Sequence, residues 1–483
     1  MKKKILAALL ASAMILSIAG CNQETGGTNN TGDSNNTAAP SGSEAPSGGN
    51  SDSEYLVDTG VKLSDTEGKK LRIACWNYEF KSFVDAFYKV PDGYEIEWVQ
   101  TPNDGGAYQS ALDEALAKNA SASADDKIDI FLAEADYIQK YSFSENSIDL
   151  STIGVTDTSQ MYDYVVNAGS DQSGKLKAVS WQATPSCMII RKSIAKDVLG
   201  TDDPTELQGL LDSWDKFNDV AAKAKEKGYM MTPSALETYR TFANNATSSY
   251  LNDNKFAPTE AFNSWLAQAE SFVENGYVSE ALPELWDDAK TDHMYNDGKA
   301  LCFFGPSWYF NFSMGKAMDA SKGTVGDWVV IQGPQAHFWG GTWMLAANGN
   351  DNPEFIADLM KAFTTNETIL ENLVRGKGII DPDTNKLKDN PQFVNNKTVI
   401  KKFAEDSSYG NTTILDGQND IAIMSKIAEN IKWDGALHTP YDQVFNETLP
   451  QCMNAYLKGT STIDEAWANF YQQLEAKNPD ITH

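Results

Sequence analysis

The chain has 483 residues and a formal net charge of −28 at pH 7. Such a strongly acidic balance argues against nucleic acid or an anionic lipid surface as the partner. With domains of about 100–200 residues as the usual size, the length suggests two lobes rather than one.

The first twenty residues have the pattern of an export signal. A basic start at 2–4 precedes an apolar run at 5–19, which is shorter than the roughly 20 residues needed to cross a bilayer. The run closes on Ile-Ala-Gly-Cys at 18–21, which resembles the lipobox of bacterial lipoproteins. That resemblance implies that Cys21 is lipidated and holds the protein on the extracellular face of the cell membrane. The alternative is a plain secretory signal with an incidental cysteine.

A spacer is predicted after the signal. Residues 22–54 contain no Leu, Ile, Val, Met, Phe, Tyr or Trp. A segment of this composition cannot bury enough apolar surface to offset its ordering entropy. We therefore expect a disordered linker over 21–54.

Strand-like and helical segments alternate along the rest of the chain. Apolar runs predict strands at 71–76, 94–100, 128–134, 186–192, 300–305 and 327–334. Apolar spacing predicts a helix that Ser213 caps and Gly228 ends, and Thr462 with Glu465 predicts a capping box near the C-terminus. Strands alternating with helices predict an α/β fold with mainly parallel sheets.

Four cysteines follow Cys21, at positions 75, 187, 302 and 452. Their number permits two disulfides, but the first three lie in apolar strand-like runs, which favours buried free thiols. The sequence contains no CxxC pair, so neither a zinc knuckle nor a redox pair is indicated.

Sequence motifs for catalysis are missing. There is no HExxH, GxSxG or GxxxxGK[ST] pattern. The segment 381–385 alternates oxygen-bearing side chains as a calcium loop does, but Lys386 stands where an EF-hand requires Gly, which favours an ordinary turn. Carboxylates are abundant enough for a glycosidase pair, yet no spacing singles one out. We predict no catalytic residue, metal or cofactor.

Aromatic and polar side chains occur together just after several predicted strands. Ligands of open α/β sheets bind beyond the carboxyl ends of the strands. An aromatic face suits the C–H face of a sugar, and amides, carboxylates and guanidinium groups suit its hydroxyls. The predicted carbohydrate-binding residues are Asn77, Glu79, Glu134, Tyr137, Trp181, Gln182, Arg240, Trp308, Tyr309 and Trp339.

Other tryptophans fit a core position better. Trp214, Trp265 and Trp467 lie at helical spacing among apolar residues and are predicted to be core. Trp343 lies in a strand-like run, and its pattern fits core and site equally.

Three longer motifs carry a family resemblance. "RKSIAKDVLG…SWDKF" resembles the entry into a second lobe, "MYNDGKALCFFGPSW" resembles a motif whose Trp commonly stacks on a sugar, and "WGGTWMLAANGNDNPEFIADLMKAFTTNE" resembles the return to the first lobe. In this order, from about Lys69 to the C-terminus, they resemble the extracellular carbohydrate-binding proteins of ABC importers, related to the maltose-binding family. Arg191, where Asn is usual, and Ser307, inside the Gly-Pro-Trp motif, depart from the pattern.

The resemblance implies a two-lobed, periplasmic-binding-protein-like α/β fold with a ligand cleft between lobes that hinge segments join. The predicted division is lobe 1 at 55–185, lobe 2 at 186–338, a return to lobe 1 at 339–385, and lobe 2 with the C-terminal helices at 386–483. The candidate hinges are 181–187 and 339–342, where Gly340 and Gly341 would let the chain turn tightly.

The function implied is capture of an oligosaccharide and its delivery to the membrane permease of an ABC transporter by a monomeric, lipid-anchored protein that is not an enzyme. Two alternatives stay open from the sequence. A surface glycoside hydrolase would release sugar, and a polysaccharide-binding adhesin would prefer insoluble polymer.

Overall fold

The computed structural model describes residues 54–279, 295–296, 298–315, 323–382, 384–411 and 414–483. The predicted signal peptide, Cys21 and the linker up to residue 53 lie outside these ranges. Within them, no helix combines the length and the apolar character that a membrane crossing requires.

The strands confirm the six predicted from apolar runs, with ends that differ by no more than three residues. They are β1 (Lys70–Cys75), β2 (Glu95–Gln100), β3 (Ile130–Glu134), β4 (Ala178–Val179), β5 (Pro185–Arg191), β6 (Leu251–Asn252), β7 (Lys255–Phe256), β8 (Cys302–Pro306), β9 (Trp328–Ile331), β10 (His337–Phe338), β11 (Thr342–Ala346), β12 (Ile380–Asp381) and β13 (Lys386–Leu387). Most of the additional strands have only two residues and are too short to leave an alternating pattern in the sequence.

The helices are α1 (Glu79–Phe87), α2 (Ala107–Asn119), α3 (Ile138–Ser142), α4 (Asp163–Ala168), α5 (Lys192–Leu199), α6 (Pro204–Leu210), α7 (Trp214–Glu226), α8 (Tyr239–Asn244), α9 (Glu260–Glu274), α10 (Ser307–Phe312), α11 (Pro353–Ala362), α12 (Glu367–Arg375), α13 (Lys397–Ala404), α14 (Asp420–Asn430), α15 (Leu449–Leu457) and α16 (Ile463–Lys477). Both predicted caps are confirmed. The Ser213 side chain accepts the Lys216 N–H at the start of α7, and Thr462 and Glu465 form a reciprocal capping box on α16.

Two sheets organise the molecule. The first has the order β2-β1-β3-β11-β4. In the second, β5 is central, with β8 on one side and both β9 and β10 on the other. We call the first sheet with its helices lobe 1 and the second sheet with its helices lobe 2.

The expectation of mainly parallel sheets is wrong. Among the strands that the structure describes, only the β1–β2 and β1–β3 pairs are parallel, and every pair in the second sheet is antiparallel. The cause is the path between the lobes. Strand β11 begins at Thr342 opposite Glu134, the last residue of β3, so the chain enters the sheet at the edge where β3 leaves it.

Each face of the second sheet packs in a different core. On β5, Cys187 and Ile189 belong to the large core that also fills lobe 1, whereas Met188 and Ile190 belong to a second core beneath α7, α9 and α16. This follows from the two-residue period of a strand. Helix α14 contributes to the large core and packs against β5.

The cysteine prediction is confirmed within the described chain. Cys75, Cys187, Cys302 and Cys452 are all buried and free. Burial raises the pKa of the Cys75 thiol to about 12, and it raises the pKa values of Cys187 and Cys302 well above the ordinary range. These thiols therefore act as small apolar core groups.

The tryptophan assignments to the core also agree with the structure. Trp265 is fully buried, and Trp214 and Trp467 pack against the second core. Trp343 is buried too, and its indole N–H donates to the Val165 carbonyl at 3.1 Å, so it is a core residue.

Three chain segments lie side by side where the lobes meet. The Thr184 carbonyl accepts the Trp339 N–H at 3.2 Å, and the Thr184 hydroxyl donates to the Gly340 carbonyl at 2.7 Å. The third segment is 393–395, where the Phe393 carbonyl accepts the Ala183 N–H at 2.9 Å. We therefore propose lobe boundaries at these crossings.

The boundary predicted after residue 385 needs correction. It would divide the β12–β13 hairpin, whose strands pair from Ile380 to Leu387. That hairpin is also the turn expected at 381–385. We propose that the crossing lies some residues later, at 393–395.

Candidate functional site

The carboxyl ends of β1 and β3 supply one wall of a cleft. The two strands are parallel neighbours, so the residues that follow them emerge at the same edge of the sheet. Trp76 and Asn77 follow β1, and Asp136 and Tyr137 follow β3. This edge faces the crossing segments between the lobes.

A cavity of about 380 Å³ lies at this edge. It is lined by Trp76, Asn77, Glu79, Asn103, Glu134, Asp136, Tyr137, Gln182, Arg240, Trp308, Trp339, Gly340, Gly341, Thr342 and Glu447. Eight of the ten residues predicted from the sequence are in this set. They are Asn77, Glu79, Glu134, Tyr137, Gln182, Arg240, Trp308 and Trp339.

A second cavity of about 390 Å³ extends the first into lobe 2. The two cavities share Arg240, Trp339 and Glu447, so they form one elongated cleft. The remaining walls of the second cavity include Glu237, Phe304 and His337. Two adjoining spaces of this size can hold more than one sugar ring.

Two predicted site residues are corrected to supporting positions. Trp181 is 1% exposed, and its ring stacks on Phe80 at 4.4 Å between centroids, in the core of lobe 1. Its neighbour Gln182 lines the cleft instead, because successive side chains of an extended segment point to opposite sides. Sequence position alone could not tell which of the two faces the ligand.

Tyr309 is the second correction. It is fully buried, its hydroxyl accepts from Tyr295 (2.9 Å) and donates to Glu237 (3.4 Å), and it therefore positions a cleft carboxylate rather than lining the cleft. Trp308, one residue earlier on α10, turns to the cleft because adjacent helical residues face different directions.

The two cleft tryptophans form a right-angled pair. The rings of Trp308 and Trp339 lie 5.0 Å apart at 65°, and the Trp308 indole N–H donates to the Trp339 carbonyl at 3.3 Å. Both side chains are half-buried, so part of each ring faces the cleft. Rings in this arrangement form a corner that can take the apolar faces of a sugar.

The two glycines after Trp339 have positive φ angles and leave no room for a larger side chain. Gly340 has φ +67°, and a Cβ on it would lie 3.2 Å from the Trp308 ring. Gly341 has φ +114°, a conformation open to glycine, and its carbonyl accepts the Ala135 N–H at 3.1 Å. The glycine pair thus lets the chain cross between lobes directly against an indole.

An ion pair spans the cleft. Asp136, after β3 in lobe 1, binds the Arg240 guanidinium of α8 in lobe 2 through both carboxylate oxygens, with Nη2–Oδ2 at 2.7 Å. Their side chains are only 8% and 19% exposed. Although burial alone would lower the pKa of Arg240, the Asp136 charge more than offsets this and raises it. Arg240 also lies over the Trp339 ring, 5.8 Å from its centroid.

Further carboxylates crowd around this pair. Burial and the Asp136 charge raise the pKa of Glu134 well above its usual range. Desolvation in the cleft and the Asp136 charge raise the pKa of Glu447 to about 7. Burial raises the pKa of Glu79 to about 7, against the opposing effects of Asn390 and Lys388. The cleft therefore holds more carboxylate charge than its surroundings stabilise.

The hydroxyl of Tyr137 is available for a ligand. Tyr137 is 3% exposed and lines the cavity, and its hydroxyl has no hydrogen-bond partner among the residues that the structure describes. Its ring contacts Trp76 edge to face at 6.3 Å. Buried hydroxyls are normally hydrogen-bonded, so an incoming ligand could satisfy this one.

His337 is a neutral member of the second cavity. Burial lowers its pKa to about 4, so the imidazole is uncharged at neutral pH. The nearest hydroxyl, that of Thr241, lies 3.3 Å from Nε2. In the described ranges, no group of three or more His, Cys, Asp and Glu side chains is arranged to hold a metal ion.

Sequence reasoning missed several lining residues. Asp136 lies between two predicted residues, and its position after β3 was a usable signal. Asn103 follows β2, the neighbour of β1, so its position was a signal of the same kind, whereas Glu447 comes from a segment far away in sequence where no pattern points to the cleft. The role of Glu447 depends on how the lobes face each other.

Comparison with known proteins assigns the family. The profile of the family described as "Bacterial extracellular solute-binding protein" matches residues 82–401. No curated protein matches the chain.

Several solved structures share the fold. The crystal structure of an extracellular solute-binding protein of family 1 is 19% identical with a TM-score of 0.64, over 84% of this chain and 99% of that one. The galacto-N-biose-/lacto-N-biose I-binding protein of the ABC transporter from Bifidobacterium longum, in complex with lacto-N-biose, is 10% identical with a TM-score of 0.62, over 87% and 100%. Maltose-bound MalE3 of T. maritima is 13% identical with a TM-score of 0.54, over 84% and 99%. The predicted two-lobed fold is confirmed, and this chain belongs to the bacterial extracellular solute-binding proteins.

Proposed function

We propose that the protein captures a soluble oligosaccharide between its two lobes and delivers it to the membrane permease of an ABC transporter. The observation that carries the proposal is the composition of the cleft. One elongated space between the lobes is lined by indole rings, a guanidinium group, carboxylates and amides. Aromatic faces with polar groups at their edges are the chemistry that sugars need.

The architecture of the crossings supports capture by closure. Short segments join the lobes, and two glycines with positive φ occupy one of them. Hinges consist of a few residues that absorb a change in φ and ψ. Ligand binding would favour the closed form to the extent that the closed form binds more tightly.

Anchoring is part of the same proposal. Lipidation of Cys21 and the polar linker after it would hold the two lobes outside the cell, near a permease. Cys21→Ala should release the folded protein from the membrane when the signal is cleaved. A variant that is cleaved and still firmly bound to the membrane would argue against this anchor.

The experiment is a binding screen with soluble oligosaccharides. Calorimetry or tryptophan fluorescence should find at least one α-glucan, β-xylo-, β-manno- or galacto-oligosaccharide that binds with a stoichiometry of one. The same incubations, analysed for products, test the hydrolase alternative, which requires sugar release. Pull-down on insoluble polysaccharide tests the adhesin alternative. Failure of all four soluble classes would contradict the proposal.

A further inference from the structure

The charges of the cleft point to a narrower class of ligand. Glu79, Glu134, Asp136 and Glu447 line the first cavity, and Arg240 is the cation among its described lining residues. Asp136 already binds both terminal nitrogens of Arg240. An anionic ligand would have to break that buried pair, which leaves a buried charge unpaired.

The other three carboxylates accept from neutral donors, Glu79 from the Asn390 side chain. Glu134 accepts the Asp136 N–H at 2.8 Å, and Glu447 accepts long bonds from Gln443, at 3.2 and 3.4 Å. A carboxylate on a ligand would meet like charges here. An ammonium group in this cavity would meet carboxylate acceptors instead.

The aromatic walls suit a cation as well as a sugar face. The position of the Arg240 guanidinium over Trp339 shows that this ring already accepts a positive group. Trp76 and Trp308 are half-buried beside the same carboxylates, and the Tyr137 hydroxyl beside them has no described partner. Ring faces next to carboxylates form a recognised setting for ammonium groups.

We infer that the cleft selects oligosaccharides by charge, favouring amine-bearing sugars over their neutral counterparts and rejecting acidic ones. This inference rests on the proposed function, because it concerns the same cleft. Burial and the Asp136 charge raise the pKa values of Glu134 and Glu447, and an ammonium group beside these carboxyls would favour their charged form.

The test compares matched glycans on the purified chain by calorimetry at pH 7. The probes are di- to tetrasaccharides in three sets: neutral (the malto-, cello- and N-acetylglucosamine series), amine-bearing (the deacetylated glucosamine series) and acidic (the galacturonic acid series). We expect the glucosamine series to bind at least about fivefold more tightly than the N-acetylglucosamine series, with a preference that shrinks as salt rises, because exposed charges are screened. The acidic series should bind weakest.

Variants assign the preference to the cleft. Glu447→Gln and Glu134→Gln remove a charge with little change in shape, and each should narrow the ratio of amine to neutral affinity. Glu226→Gln, on the exposed end of α7, removes the same charge elsewhere and should leave the ratio unchanged. Two cleft variants are used so that the ratio can be measured if one fails to fold.

The outcomes separate the two proposals. Neutral glycans that bind as tightly as the amine series, or acidic glycans that bind equally well, would overturn the charge inference and leave oligosaccharide capture intact. An amine preference that both cleft variants retain in full would also overturn it. If none of the three sets binds while a neutral glycan of the four-class screen does, the charge inference is overturned and oligosaccharide capture stands.

Discussion

At the scale of single residues, exposure to the cleft separates side chains that the sequence could not distinguish. Trp181 and Gln182 are neighbours, as are Trp308 and Tyr309, yet only one of each pair lines the cleft. Composition and strand ends were sufficient to locate the cleft. The direction of each side chain depends on the backbone geometry, which the types of adjacent residues do not reveal.

The cleft tryptophans should affect binding more than stability. Trp308→Ala or Trp339→Ala should weaken oligosaccharide affinity by about ten- to a hundredfold, since lost stacking and apolar contact cost on the order of 1–3 kcal/mol. Trp181→Ala is the matched control and should lower the free energy of unfolding by about 3–5 kcal/mol, as expected for a buried indole. Affinity and melting temperature are measured for each variant. A Trp308→Ala variant with normal affinity would remove that residue from the site.

Gly340 should be sensitive to a single methyl group. Gly340→Ala places a β-carbon 3.2 Å from the Trp308 ring and forces a positive φ on alanine. The backbone effect alone costs about 1–2 kcal/mol. Gly93→Ala, at φ +84° with open space around it, is the matched control for that effect. We expect the larger loss of melting temperature, together with weaker sugar binding, in Gly340→Ala; equal losses would show that contact with Trp308 is unimportant.

At the scale of elements, the strands with strong apolar runs and the helices with caps could be predicted, and their pairing could not. Strand β11 was not among the predicted strands, and it runs antiparallel to β3 because direction is set by the path between lobes. The two-residue strands β4 and β10 form only through neighbours distant in sequence. The third crossing was predicted after residue 385, and we propose 393–395 instead, because it pairs with segments distant in sequence.

Glu237 should make stability depend on pH. It joins the turn at 235–238 to β8 by accepting the Phe304 N–H at 3.0 Å, and burial raises its pKa to about 7. Because the folded pKa is above the unfolded value, its contribution is complete below about pH 4.5 and is lost as pH rises through about 7. The free energy of unfolding of wild type should therefore fall between pH 5 and pH 8, and that of Glu237→Gln should not. We expect this difference between the two proteins to be on the order of 1 kcal/mol, since Glu237 is partly exposed.

Denaturant unfolding at the two pH values measures this effect. Exposed Glu226→Gln serves as the control and should track wild type at both. If the difference between wild type and Glu237→Gln is the same at pH 5 and pH 8, Glu237 does not titrate in this range.

At the scale of the whole molecule, two polar contacts between described residues join the lobes across the cleft. Besides the Asp136–Arg240 pair, the Gln109 amide of α2 donates to the Gln443 carbonyl oxygen at 2.9 Å. The length and the family motifs predicted the two lobes. These cross-cleft contacts, which join residues about a hundred or more positions apart, had no signal in the sequence.

Loss of the ion pair should open the ligand-free protein. Asp136→Asn leaves Arg240 without its charged partner, so the closed arrangement loses stabilisation relative to the open one. Small-angle scattering should give a larger radius of gyration for Asp136→Asn than for wild type. Asp113→Asn, which breaks the Lys140 pair within lobe 1, is the matched control. Equal radii for all three proteins would show that the pair does not hold the lobes together.

The central claim is that the cleft between the lobes binds an oligosaccharide. Its most direct test is a calorimetric titration of wild type and Trp308→Ala with the tightest ligand from the soluble-glycan screen. We expect one site per chain in wild type and about a ten- to hundredfold weaker affinity in the variant, with melting temperatures that nearly coincide. Equal affinity in the two proteins, or no heat from any soluble oligosaccharide with wild type, would contradict the claim.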